Sequence, residues 1–164
     1  METILQRVFF ILLLLVVSLL SQTVNFKETK YVEALQLYTY RDGNVTYSDK
    51  STVVRYADGK VITKRDNNLT VQNDKGELLT TINLNEKPDV ALYFQLTKAL
   101  FSKNFDSLKD NFDIEKSKNK YRFIPKDDTK KVIKDIELYL NSDESIKYFV
   151  INFTNMDTIK IETK

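Results

Sequence analysis

Residues 78–101, LLTTINLNEKPDVALYFQLTKALF, decide the fold, because the hydrophobic period changes inside them. Leu78, Thr80, Ile82 and Leu84 alternate with their neighbours, so they share one face of a strand. Pro88 fits the first turn of a helix, where its missing N–H costs nothing, and Asp89 adds a favourable negative charge there. The helix expected over Val90–Phe101 has only a narrow polar stripe of Gln95, Lys98 and Ser102. A helix apolar around most of its circumference must be covered on several sides. It reads either as an ordinary buried helix or as a lid over a cavity.

Upstream, the chain is a series of short strand-like runs: Tyr31–Tyr40, Val45–Ser48, Thr52–Tyr56, Val61–Lys64, Leu69–Gln72 and Leu78–Leu84. Asp42-Gly43, Asp58-Gly59 and Lys75-Gly76 would place every glycine in a turn, and Asp66-Asn67-Asn68 makes a fourth turn without one. Repeated hairpin signals at this spacing predict an antiparallel meander. Downstream, Phe105–Phe112 is expected as a further short helix. Ile114–Lys116 and Tyr121–Ile124 are expected to pair across Lys118-Asn119. Ile136, Leu138 and Leu140 alternate, as do Phe149, Ile151 and Phe153, and then Ile159 and Ile161. Strands, a helical insertion and more strands, without linker or repeat, make one α+β domain.

The 164 residues carry 25 basic and 23 acidic side chains, and only five of the basic ones are arginine. That balance gives no pull towards nucleic acid, and few of the forked guanidinium groups that read bases or phosphates. With no cysteine and no histidine, disulfides, thiol nucleophiles, Cys-based zinc sites and a Ser-His-Asp triad are excluded. The acidic pairs Asp127-Asp128 and Asp106 with Asp110 lie in polar turn and helix-surface contexts and read as solvated. No enzyme activity, cofactor or metal is expected.

At the N-terminus, Arg7 precedes the apolar run Val8–Leu20, broken only by Ser18. Its thirteen residues would span about 20 Å as a helix, short of a hydrocarbon core of roughly 30 Å. Residues 1–23 therefore read as a signal segment, cleaved so that the mature chain begins between Gln22 and Val24, with an uncleaved anchor as the alternative. Residues 24–164 form the single domain, expected in the periplasm.

Several stretches resemble a known family. Pro88-Asp89-Val90-Ala91-Leu92-Tyr93-Phe94, Ala99-Leu100-Phe101, Phe105-Asp106-Ser107-Leu108 and Asn111-Phe112 resemble the mid-chain helices of LolA-like outer-membrane lipoprotein carriers. The closer resemblance is to divergent members found beside glycolipid and aryl-polyene export genes. Tyr121-Arg122-Phe123-Ile124-Pro125-Lys126-Asp127 is similar to the family's W-x-L-x-P-x-D stretch, and Ile133–Leu140, Ile146–Phe153 and Ile159–Glu162 to its closing strands. The resemblance covers Pro88 to Glu162; Tyr31 to Leu84 matches only in length and hairpin rhythm. The family's arginine–proline–phenylalanine–arginine–tryptophan stretch has no counterpart, and Tyr121 stands where the family has tryptophan.

The resemblance implies an unclosed antiparallel β-barrel, lidded by the middle helices over an apolar cavity. It also implies a non-enzymatic, monomeric periplasmic carrier. Such a protein takes the acyl chains of a lipoprotein or lipid from an inner-membrane donor and passes them to an outer-membrane acceptor. Candidate cavity walls are Leu78, Ile82, Leu84, Leu92, Phe94, Leu96, Leu100, Tyr121, Phe123, Ile136 and Leu138. Two other functions fit less well. A lipid-sensing regulatory module would ordinarily add a second domain. A membrane-anchored lipopolysaccharide-bridge subunit would be a jellyroll, and the helical insertion argues against that.

Two surface features complete the reading. Lys126, Lys130, Lys131 and Lys134 form a basic cluster suited to anionic lipid headgroups. Asn44 and Asn68 each stand in a D-x-N-x-T sequence resembling a bacterial N-glycosylation acceptor, and both are expected in exposed turns.

Overall fold

The computed structural model describes residues 22–164. Residues 1–21, most of the segment read as signal or anchor, lie outside them. Eleven strands form one antiparallel sheet: β1 (Gln22–Val32), β2 (Leu37–Tyr47), β3 (Ser51–Tyr56), β4 (Val61–Arg65), β5 (Asn68–Gln72), β6 (Leu78–Asn83), β7 (Phe112–Ser117), β8 (Lys120–Pro125), β9 (Ile133–Leu140), β10 (Ile146–Phe153) and β11 (Thr158–Thr163). Their order across the sheet is β6-β5-β4-β3-β2-β1-β11-β10-β9-β8-β7. The first six strands form one wing and the last five the other, and β1 pairs with β11 at the seam, Glu28 opposite Ile161. The edge strands β6 and β7 do not pair, so the barrel stays open. The chain must travel between these two edges, and it does so through helix α1 (Pro88–Ser102), packed on the inner face.

Local chemistry sets the bounds of α1. Pro88 opens it, and Lys103 closes it in the left-handed region at φ 53°, its N–H donating to the carbonyls of Ala99 and Leu100. The Asn104 N–H donates to the Ala99 carbonyl at 3.1 Å, which stops the helix with a second reversed bond. Phe105–Phe112 does not continue as a helix. Asp106–Leu108 makes one 3-10 turn and Phe112 starts β7 opposite Pro125. The apolar spacing that suggested a helix is met by one turn and one strand, and both bury Leu108 and Phe112 in the core.

The largest departure from the sequence reading lies in β1 and β2. A strand over Tyr31–Tyr40 followed by a turn at Asp42-Gly43 was expected. The chain instead reverses at a 3-10 turn over Glu33–Leu35, between two strands of 11 residues each. Gln36 takes the left-handed position at φ 50° that glycine usually fills. Its side chain holds it there: Nε2 donates to the Glu33 carbonyl at 3.0 Å, and Oε1 accepts from the Tyr31 hydroxyl at 2.9 Å. Gly43 is not in a turn but inside β2, between Phe26 and Tyr56. A Cβ at Gly43 would lie 2.6 Å from the Arg55 carbonyl oxygen and 2.9 Å from the Phe26 ring, so only glycine admits that approach. Asn44 is accordingly half-buried in mid-strand, opposite Asn25 and Arg55, and not in an exposed turn. Asn68 is exposed as the first residue of β5.

Two apolar clusters hold the sheet and helix together. The larger joins Phe26 and Val45 to the β7–β11 wing and to Leu96, Leu100 and Phe101 of α1. The smaller gathers Leu69, Leu84 and Phe94, flanked by Val54, Ile62, Val71 and Ile82. The helix thus sets its C-terminal half in the larger cluster, which spans the seam, while Phe94 of its N-terminal half packs in the smaller one.

Candidate functional site

A cavity of about 450 Å³ opens between the first half of α1 and the ends of β3 and β4. Leu84, Ala91 and Phe94 line its apolar side. Ser51, Thr52, Asn67 and Gln95 add hydrogen-bonding groups, and Lys50, Lys64 and Lys98 bring positive charge beside Asp49 and Asp66. Lys64 is partly engaged, its Nζ donating to the Asp66 carbonyl at 3.0 Å, and Gln95 Nε2 donates to the Ser107 carbonyl at 2.8 Å. The volume falls in the range of small-molecule sites, and an apolar side beneath a polar rim suits an amphiphile.

The candidate wall residues divide into several groups. Leu84 and Phe94 line the cavity, and Ile82 packs against the same small cluster. Leu96, Leu100, Phe123, Ile136 and Leu138 are fully buried in the larger core. Leu92 is half-buried against that core. Tyr121 is also half-buried there, its ring 5.0 Å from Phe105. Leu78, at the start of the edge strand, is 60% exposed. The structure therefore brings Ile82, Leu84 and Phe94 together and places the others elsewhere. The polar wall from Ser48 to Thr52 was missed. Gln95 and Lys98 were visible as the polar stripe of α1, but nothing local says that they face a cavity.

A second polar group lies on the inner face at the seam. The Tyr56 hydroxyl donates to Glu28 Oε2 at 3.4 Å, and the Arg41 guanidinium lies 5.3 Å over the Tyr56 ring. Burial pushes the Glu28 carboxyl up, against the pull of Arg41 and the Tyr56 hydroxyl. Burial likewise raises the Tyr56 phenol to about 12 and the Tyr47 phenol further. Tyr93 of α1, part-exposed yet deeply surrounded, is raised well above its ordinary value by burial and by the nearby Glu28 carboxylate. These phenols stay neutral and act as hydrogen-bonding groups. Among the described residues, no cluster of three or more acidic side chains could hold a metal ion.

No family model matches the chain, and no curated protein matches it. Among solved structures, it is similar to a DUF1329 family protein from Desulfovibrio piger, at 8% identity over 88% of this chain and 84% of that one, with a TM-score of 0.43. It is similar to lipoprotein LppX from Mycobacterium tuberculosis at 14% identity over 93% and 88%, with a TM-score of 0.42. A LolA superfamily protein from Nitrosomonas europaea is similar at 10% identity over 88% and 84%, with a TM-score of 0.39.

Proposed function

We propose that the protein is a non-enzymatic carrier that binds the acyl part of a lipoprotein or lipid and moves it through the periplasm towards the outer membrane. The observation that carries this reading is an open sheet whose inner face is covered by one helix, with a cavity under the less firmly held half of that helix. The resemblance of Pro88–Glu162 to LolA-like carriers and the apolar run Val8–Leu20 support it.

The lid reading follows from how α1 is anchored. Phe101 is wedged between Tyr47, at 5.8 Å, and Phe149, at 5.3 Å, which pins the C-terminal end. The N-terminal end rests on Leu69 and Leu84 through Phe94. Lifting that end widens the cavity and opens the inner face of β3–β6 to an acyl chain. Closed and open states need differ by only a few kcal/mol, and each methylene buried contributes roughly 0.8 kcal/mol, so a long chain can drive the change. The lysines at the rim would then meet the polar end of the cargo.

Binding of a fluorescent fatty acid tests the proposal. Phe94→Asp sets a charge against the cavity and should abolish binding. The sheet should survive, because the larger core does not include Phe94. Circular dichroism controls for folding, and native mass spectrometry of the protein as purified should show a co-purified lipid. Unchanged binding by folded Phe94→Asp would reject the cavity, and a protein that neither retains nor takes up lipid would reject the carrier.

A further inference from the structure

The two ends of the sheet have different surfaces around the β1–β11 seam, whereas over β3–β6 both ends carry polar turns. At one end, the turns at 48–50, 66–67, 118–119 and 141–145 contain only polar and charged residues. At the other, Leu35, Leu37, Tyr38, Val132 and Met156 project into solvent, from 46% exposed for Val132 to 70% for Leu35. They come from three segments far apart in sequence that are tied together by hydrogen bonds. The Glu33 N–H donates to Asp157 Oδ1 at 2.9 Å, joining the β1–β2 tip to the β10–β11 turn. The Thr154 N–H donates to the Val132 carbonyl at 3.0 Å, joining that turn to the β8–β9 connection. Met156 also occupies the left-handed region, at φ 67°, where glycine would relieve strain; a large apolar side chain is held out at the tip of a turn instead.

Positive charge lies on one side of this patch, while Glu33 and Asp157 add negative charge at the β1–β2 tip and the β10–β11 turn. The segment 126–134 carries Lys126, Lys130, Lys131 and Lys134 against Asp127 and Asp128. Lys131 is paired with Asp128 and Lys126 with Asp113, whereas Lys130 and Lys134 make no ion pair among the described residues. The Tyr31 and Tyr38 rings pack 4.7 Å apart, tilted, on the β1–β2 hairpin, and Tyr40 lies stacked next in the row, 6.4 Å from Tyr38. Aliphatic tips, a tyrosine ladder behind them and free lysines beside them match the layers of a membrane surface: acyl region, interface and anionic headgroups. The apolar side chains stand on three separate segments and not along one strand.

We infer that this end of the sheet is a docking surface for an anionic phospholipid bilayer. The inference goes beyond carriage and holds whether or not the cavity takes a lipid.

The protein has no tryptophan, so single tryptophans report position without background. In the full chain, Leu35→Trp and Met156→Trp should shift to the blue and be quenched by brominated acyl chains in mixed phosphatidylcholine–phosphatidylglycerol vesicles. Lys118→Trp, at the polar end, should stay unquenched. This contrast separates docking of the tip from insertion of the N-terminal segment. Pure phosphatidylcholine, or the pair Lys130→Gln and Lys134→Gln, should weaken the tip signal on the order of tenfold. Circular dichroism checks that each variant folds. Tryptophans at 35 and 156 that stay unquenched in folded protein would overturn the inference, as would equal quenching at 118. A tip signal indifferent to anionic lipid and to the two lysines would overturn the assignment to an anionic surface.

Discussion

In the β7–β11 wing, Phe112, Phe123, Leu138, Phe149 and Ile151 are all but inaccessible to solvent. In β3–β6, the outer strands of the other wing, β6 has no buried residue, β4 has none, and Leu69 of β5 is the deepest large side chain. Both wings are antiparallel, and both lie partly under α1. They differ in what covers them. The last five strands receive Leu96, Leu100 and Phe101 together with Phe105 and Leu108 from the following turn. The early strands receive Phe94, helped by the flanking Val90, Ala91 and Tyr93. One helix cannot fill both halves of an open barrel equally, and the cavity lies where the filling is thin.

Truncation should expose that inequality. Phe123→Ala, in the thick wing, is expected to lower stability by about 3–5 kcal/mol, measured by urea unfolding. Leu69→Ala, in the thin wing, should fall near the low end for its type, about 2 kcal/mol, because a site beside a cavity can collapse. Equal losses would erase the distinction between the wings.

Gly43→Ala tests the close packing of β1, β2 and β3, next to the strand that meets the other wing. A Cβ there meets backbone and the Phe26 ring, so the cost should be about 1–3 kcal/mol with the fold retained. A neutral result would show that β2 and β3 can separate locally and that the first wing is softer there than described.

The smallest effect concerns Glu28 at the seam. Its native carboxyl holds its proton more tightly than in the unfolded chain. Its contribution to stability is therefore most favourable below the ordinary glutamate value and is lost as pH rises through the raised native value. Glu28→Gln should raise the thermal midpoint slightly at neutral pH and leave it unchanged in acid. A variant less stable at neutral pH would mean that the Arg41 and Tyr56 contacts outweigh burial.

The wings were not equally legible in the sequence. Alternation in Ile136–Leu140, Phe149–Phe153 and Ile159–Ile161 identified β9, β10 and β11, because a strand buried on one face repeats every two residues. The β1–β2 hairpin was hidden. Its turn, Glu33-Ala34-Leu35-Gln36, has no glycine, proline, asparagine or aspartate, while Asp42-Gly43 imitates a turn inside a strand. Gln36 is held left-handed by side-chain bonds that no propensity scale contains, and Gly43 answers to a ring 17 residues away in the chain, that of Phe26.

By itself the sequence determined the exclusions, the strand–helix–strand order and the helix beginning at Pro88. Each of these follows from composition, or from a period of two or 3.6 read over a few neighbours. The tertiary structure alone decided that β1 joins β11 and that α1 divides its faces between unequal clusters. It alone set the cavity beside Leu84 and Phe94, away from Leu96, Leu100 and Leu138. A helix apolar around most of its circumference has the same residues whether it fills a core or roofs a void. What separates the two is the volume left after distant segments pack, and that volume is set by the whole sheet.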